Sequence, residues 1–268
     1  MNIESICRKV IDIARGAGDF IRTERKSFRR ESVEAKGVHD YVSHVDKKAE
    51  GMLVEKLQAL LPEAGFIAEE GTGKKNSNGL NWIIDPLDGT TNFIHGMPPF
   101  SVSIALARNE EIMLGVIYEI NLDECFFSWE GAPAFLNGSE IKVSKAANVS
   151  DSLIATGFPF TDFRNMEPFL NSFRHFMENS HGLRRLGSAA VDLSYVACGR
   201  FDAFYEYGLS PWDLAAGSFI VRQAGGRTCD FTGGNNFLFG GELIASNPVV
   251  FDEFMSTVKR FMKGHGKS

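Results

Sequence analysis

The sequence predicts an α/β protein whose N-terminal half is α+β. Three observations carry that prediction. An amphipathic helix opens the chain, a run of short alternating strands occupies its middle, and helices alternate with strands over most of the second half. The chain has 268 residues, 44% hydrophobic and 23% charged, which gives apolar surface for a packed core and room for one large domain or two small ones.

The elements follow in order. Ile3, Ile6, Val10, Ile13, Ala14, Ala17, Phe20 and Ile21 recur at helical spacing, predicting a helix over residues 3–28. Arg22, Arg25, Lys26, Arg29 and Arg30 at its end read as a solvated face with cations near a helix C-terminus. A second helix begins near Ser43 and runs through Ala49, Met52, Leu53, Leu57 and Leu60 to a stop at Pro62. Residues 65–68 form a short strand ending at Glu69 and Glu70, and 71–79 a mobile polar loop without packing content. Strands over 81–84, 101–107, 112–119 and 124–129 make a meander, with a last strand near Ile141 after the Asn137-Gly138 turn. Beyond that, strands at 153–156, 183–186 and 202–206 alternate with helices at 167–178, 189–197 and 212–224, followed by a further strand and helix. The change of pattern divides an N-terminal α+β domain (1–143) from a C-terminal α/β domain (144–268).

Composition excludes several functions. Lys plus Arg is 28 against 34 Asp plus Glu, a formal charge of −6, which argues against nucleic-acid binding and suits divalent cations better. No apolar run approaches the ~18 residues of a membrane helix, and a start carrying Glu4, Arg8 and Lys9 lacks a signal-peptide core, so the expected location is cytoplasmic, away from membranes. Cys7, Cys125, Cys198 and Cys229 form no zinc or redox spacing and read as reduced core thiols. No nucleophile elbow, Walker A or dinucleotide fingerprint is present, and the histidines lack metal-ligand spacing.

The segment 82–95, WIIDPLDGTTNFIH, carries most chemical content. Pro86 biases Asp85 toward an extended conformation at a strand end, Leu87 and Asp88 turn, and Gly89 lets the backbone approach a ligand. Thr90, Thr91 and Asn92 follow at a helix start, where N–H groups favour a phosphate oxygen. Phosphate beside Asp85 and Asp88 needs a cation, and magnesium fits an oxygen-only ligand set. On local grammar alone a plain Pro-Leu-Asp-Gly turn explains the same residues. Taken singly, Glu69-Glu70 is a solvated acidic pair, Asp213 a first-turn acid of a helix starting near Pro211, and Ser43-x-x-Asp46 a capping box.

In order and spacing, WIIDPLDGTTNFIH and WDLAAGSFIVRQAGG (212–226) resemble the two signature segments of the inositol monophosphatase family of magnesium-dependent, lithium-sensitive phosphatases. The resemblance extends to KGVHDYVSHVD (36–46), AEEG (68–71) and LRRLGSAAVDLSYVACGRFDAFYE (183–206), hence to nearly the whole chain. It implies a layered α-β-α-β-α sandwich, a homodimer, and two or three Mg2+ ions held by Glu69, Asp85, Asp88, Asp213 and the Leu87 carbonyl. It also implies that Thr90 and Asp46, supported by Glu69, orient and activate the attacking water, and that phosphate rests on Gly89 and Thr90. The alcohol half of the substrate, on the same grounds, meets Asp88, Gly187, Ser188, Ala189, Glu206 and Asp213. Ser43 stands where the family has threonine and keeps the hydroxyl, while Lys36 matches a family lysine whose role stays open. A carboxylate at 206 accepts bonds from hydroxyls and repels a second phosphate. The expected substrate is therefore myo-inositol 1-phosphate or a similar polyol monophosphate. The alternatives are histidinol phosphate, fructose 1,6-bisphosphate or 3′-phosphoadenosine phosphate, or a regulatory binding protein that retains the fold.

Overall fold

A computed structural model describes residues 1–28, 34–37, 40–77, 79–159 and 163–262; for 34–37 and 40–42 it describes the backbone alone. Arg29 and Arg30 lie outside the described residues, as does the side chain of Lys36. Helix α1 (Ile3–Ser27) starts at Asn2, whose side chain accepts from the N–H of Ser5, and buries Ile6, Cys7, Val10, Ala14, Ala17 and Ile21. The short antiparallel pair β1 (Glu34–Gly37) and β2 (Asp40–Val42) follows, then α2 (His44–Leu60). The sequence reading has no strands at β1 and β2.

Seven strands form the first sheet in sequential order: β3 (Gly65–Ala68), β4 (Leu80–Asp88), β5 (Ser101–Arg108), β6 (Glu111–Glu119), β7 (Glu124–Trp129), β8 (Ala134–Leu136) and β9 (Ser139–Ile141). β3 runs parallel to β4 and every other pair is antiparallel. Helix α3 (Thr90–His95) lies in the β4–β5 connection. The second sheet holds five strands in the order β11-β10-β12-β14-β13: β10 (Leu153–Thr156), β11 (Gly182–Arg184), β12 (Ala203–Tyr207), β13 (Arg227–Cys229) and β14 (Glu242–Ser246). Helices α4 (Met166–Asn179), α5 (Ala189–Ala197), α6 (Pro211–Gln223), α7 (Phe237–Gly240) and α8 (Phe251–Met262) complete the chain.

Alternation along the strands builds the layers. Trp82, Ile84, Ile104, Leu106 and Val116 pack with the buried faces of α1 and α2, whereas Ile83, Ala105, Ala107 and Ile117 pack with Leu193 of α5 and Leu214 and Ile220 of α6. Phe204, Leu243 and Ala245 of the second sheet join that same core, so α5 and α6 lie between two sheets. The outer face of the second sheet, with Ala203, Tyr205 and Ile244, is covered by Phe169 and Phe176 of α4 and Phe254 and Val258 of α8. The result is the five-layer α-β-α-β-α order that the resemblance implies. Small residues make the middle layer thin: a Cβ at Gly115 would meet the Ala216 carbonyl oxygen at 2.8 Å. Among the described residues no helix is long and apolar enough to cross a membrane.

Two expectations change. Over 71–77 the loop is anchored rather than free of contacts, because Phe66 N–H donates to the Lys74 carbonyl at 2.9 Å and Asn81 exchanges bonds with Asn76 at 2.7 and 2.8 Å; Asn78 lies outside the described residues. Arg22 is also more than a solvated cation: its Nη2 reaches both the Tyr118 hydroxyl and the Ile120 carbonyl at 2.8 Å, tying α1 to the end of β6. Polar composition alone hides both anchors, since each partner is distant in sequence or outside the periodic pattern.

Candidate active site

The site forms where β4 ends. Asp85 pairs with Ser103 and Asp88 with Ser101, so three steps on β4 oppose two on β5 and one extra residue bulges out. Without it Asp85 and Asp88, an odd number apart, would face opposite sides of the sheet. With it both carboxylates face the α5–α6 layer, while the Leu87 side chain is buried on the other side among the α1–α2 core. The strand thus continues through a segment that the sequence predicts as a turn. Gly89, at φ +93°, then reverses the chain into α3; a Cβ there would crowd the Pro99 carbonyl at 3.0 Å and the Gly187 carbonyl at 3.2 Å.

Asp213 arrives from the first turn of α6, where its Oδ2 accepts the Ser210 N–H at 2.7 Å in a capping box. Oxygens of Asp85, Asp88 and Asp213 lie within 4.8 Å of one another. Glu69, in the turn after β3, is held to β4 by its N–H on the Ile84 carbonyl at 3.3 Å, and its side chain hydrogen-bonds Asp85. Burial raises the Asp85 carboxyl well above the usual range, and the charges of Glu69, Asp88 and Asp213 add to that. Asp213 is half-buried as a residue, but its carboxyl is enclosed and is pushed up to about 8 by burial and then by Asp88. Asp88 rises only to about 6, because burial is opposed by bonds from Ser188 and from the N–H of Ala190, at 2.5 and 2.8 Å. Buried carboxylates this close retain protons until a cation replaces them, and an all-oxygen donor set suits a hard divalent ion. The residues therefore fit a magnesium-type centre.

Asp46 and Thr90 meet beside the cluster. Asp46 Oδ2 accepts from the Ser43 N–H at 2.9 Å and hydroxyl at 2.6 Å, closing the capping box of α2. Its Oδ1 accepts from Thr90 Oγ1 at 3.0 Å, and Thr90 also reaches the Leu87 carbonyl at 3.0 Å. The structural and the functional readings of Asp46 thus use different oxygens of one side chain. On the far wall, α5 begins at Ser188, whose hydroxyl caps the Val191 N–H at 3.3 Å. Three helix N-termini, of α3, α5 and α6, consequently end around the carboxylates and offset their charge.

All candidate residues but one line a single cleft of ≈ 460 Å³: Glu69, Asp85, Leu87, Asp88, Gly89, Thr90, Gly187, Ser188, Ala189, Glu206 and Asp213. Asp46 sits behind Thr90. Glu206, on β12, is buried and pushed up to about 8, burial outweighing the opposing charge of Arg185. Gly157 makes room for it, since a Cβ there would overlap the Glu206 carboxylate. Sequence reasoning missed several residues here. Arg185 joins the cleft wall over the ring of Phe158. Asp192 is a buried carboxyl on α5, its Oδ1 without a hydrogen-bond partner, held well above its usual pKa by burial and by Glu206. Asn92 ties α3 to the Pro99 and Leu186 carbonyls at 2.8 Å each. Glu50, buried on α2, binds the turn after Glu69. Asp192 had a visible signal, as the one acid in a helix otherwise largely apolar.

Carboxylates placed for a cation beside amide dipoles placed for an anion suit a metal-dependent phosphatase. The chain belongs to the inositol monophosphatase family, whose pattern it matches over residues 2–262. It is 40% identical over 252 residues to the inositol-1-monophosphatase of Mesorhizobium japonicum, covering 94% of this chain and 95% of that one. It is 41% identical over 251 residues to the Nus factor SuhB of Pseudomonas aeruginosa, covering 92% and 93%. Among solved structures, the extragenic suppressor protein suhB of Bartonella henselae superposes with a TM-score of 0.90 at 38% identity, over 97% of this chain and 99% of that one. The IMPase of Thermotoga maritima gives 0.88 at 34% identity, over 97% and 98%.

Proposed function

We propose that the chain hydrolyses myo-inositol 1-phosphate or a similar polyol monophosphate, with two or three Mg2+ ions as cofactor. The observation that supports this best is the meeting of Asp85, Asp88 and Asp213 in the cleft that also holds Glu206. Residues 1–143 would supply most metal ligands, and 144–268 would complete the site. Glu69, Asp85, Asp88, Asp213 and the Leu87 carbonyl would hold magnesium, which supplies Lewis-acid activation of the ester and of water.

The remaining work falls to side chains. Ser43 fixes Asp46 by two bonds, so that Oδ1 receives the Thr90 hydroxyl. Thr90 has a single proton and gives it toward Asp46, which leaves its lone pairs to take the proton of the attacking water. The N–H groups of Gly89 and Thr90, at the first turn of α3, would receive a phosphate oxygen. Ser188 and Ala190 hold Asp88 against the N-terminus of α5, which keeps the metal side and the alcohol side of the cleft in register. Glu206 would bind a substrate hydroxyl and, when ionised, repel a second phosphate.

Phosphate release from myo-inositol 1-phosphate tests this, measured for wild type and Asp88→Asn with Mg2+ and with EDTA, beside fructose 1,6-bisphosphate and 3′-phosphoadenosine 5′-phosphate. We expect preference for the inositol ester and loss of turnover with EDTA or the substitution. A wild type that binds Mg2+ yet releases phosphate from none of these esters would rule out the inositol ester as substrate. That result would favour another phosphate ester or a second reading, a regulatory role, which draws support from the name Nus factor SuhB carried by relatives from P. aeruginosa and Escherichia coli at 41% and 38% identity.

A further inference from the structure

Glu50 is a fully buried carboxylate that the reaction scheme leaves unused. It lies one helical turn beyond Asp46, so both side chains project from the same face of α2. Each leaves the helix for a different loop of the cleft. Asp46 goes to Thr90; Glu50 goes to the turn that follows β3, where Oε2 accepts the Glu70 N–H at 2.7 Å and Oε1 the Thr72 N–H at 2.8 Å. Between those donors Gly71 stands at φ +79°, so the turn is wrapped around the carboxylate. Glu69 begins that turn. Its backbone is fixed on one side by the Ile84 carbonyl of β4 and on the other by the bonds that Glu50 makes to the residues just after it.

We propose that Glu50 is a positioning residue for the metal centre: by holding the Glu69–Thr72 turn it fixes the Glu69 carboxylate beside Asp85. The proposal rests on the metal-dependent reading above. A buried anion is costly unless its oxygens are satisfied, and here each oxygen is matched to one backbone donor. Glutamine cannot reproduce this, because its amide nitrogen would face an N–H, donor against donor. Aspartate is one methylene too short to reach both.

The test is calorimetric titration of Mg2+ into wild type, Glu50→Gln, Glu50→Asp and Leu53→Val, with hydrogen exchange of the Glu70 and Thr72 amides in EDTA. Leu53 is a buried core residue of the same helix, and its truncation lowers stability without removing a hydrogen bond to the turn. We expect the Glu50 variants to bind Mg2+ roughly tenfold more weakly or worse, as outer partners of metal ligands generally do, and to exchange those two amides faster. Turnover at saturating Mg2+ should return toward wild type, and Leu53→Val should melt earlier with Mg2+ affinity unchanged. Should Glu50→Gln fail to fold, Glu50→Asp carries the comparison. Equal Mg2+ affinity in wild type and Glu50 variants, or weakening in Leu53→Val that matches theirs, overturns the role of Glu50. A wild type that takes up no Mg2+ overturns the metal-dependent reading and this proposal with it.

Discussion

Replacing Glu206 with glutamine, in protein stripped of metal, probes the cost of building an acidic cleft. Burial pushes this carboxyl from 4.5 up to about 8, with Arg185 opposing and Asp88 adding to the shift. An acid whose folded pKa is raised binds more protons folded than unfolded, so stability is intact below the unfolded value and falls as pH rises through the folded one. Integrating that shift gives a penalty of about 4 kcal/mol near pH 8 and under about 1 kcal/mol near pH 5. Glutamine has nearly the same shape and no charge to bury, so it should recover most of that penalty at the higher pH and little at the lower. The gain is large against a total of ~5–15 kcal/mol for an ordinary domain. Urea unfolding of both proteins in EDTA at the two pH values measures it. A difference that is the same at both, or a variant less stable than wild type at the higher pH, would refute the reasoning. Added Mg2+ should shrink the gain, since bound cations favour the ionised carboxyl.

Three further outcomes follow. Thr90→Val removes the hydroxyl that joins Asp46 to the Leu87 carbonyl, and turnover should fall by about 10²- to 10⁴-fold while Mg2+ uptake persists; unchanged turnover would exclude Thr90 from proton transfer. Chelation should lower the melting temperature, and the gap between Mg2+ and EDTA samples should widen from about pH 5 to about pH 8, because the raised Asp85 and Asp213 carboxyls destabilise the metal-free form as they lose protons. A gap independent of pH in calorimetry would contradict this. Gly157→Ala should displace the Glu206 carboxylate and raise KM for the polyol ester with kcat less affected, as steady-state kinetics would show; an unchanged KM would separate Glu206 from substrate binding.

Helices with a single apolar stripe were legible in sequence. The residues that mark α1 and the Ser43 start of α2 recur in the structure within a residue of the expected positions, because periodicity and capping are local. The meander was legible for the same reason. Strands of three residues, such as β8 and β13, carry too few side chains for alternation to register. The acidic cluster was readable only through the motif pair: Asp85 and Asp213 are brought together by a helix crossing between two sheets, and nothing local to either residue reports it. Glu50, Asn92 and Arg185 escaped because each acts on a chain segment remote from itself, as Glu50 does on the amides of Glu70 and Thr72.

The single extra residue in β4 has a consequence for how this chain can change. A strand has two faces, and an insertion or deletion switches which of them every later side chain occupies. Inserting one residue into β5 between Ser101 and Ser103 would leave Asp85, Asp88 and Gly89 in the sequence, and the signature would still read intact. Yet three steps on β4 would then oppose three on β5, the bulge would be lost and the parity between the two aspartates would flip, turning Asp88 from the α5 cap toward the core of α1 and α2. Substitutions at position 87 are thus a matter of packing, whereas one added residue on the facing strand separates the carboxylates by the thickness of the sheet, and a related chain can keep every acidic residue and still have no place to hold an ion.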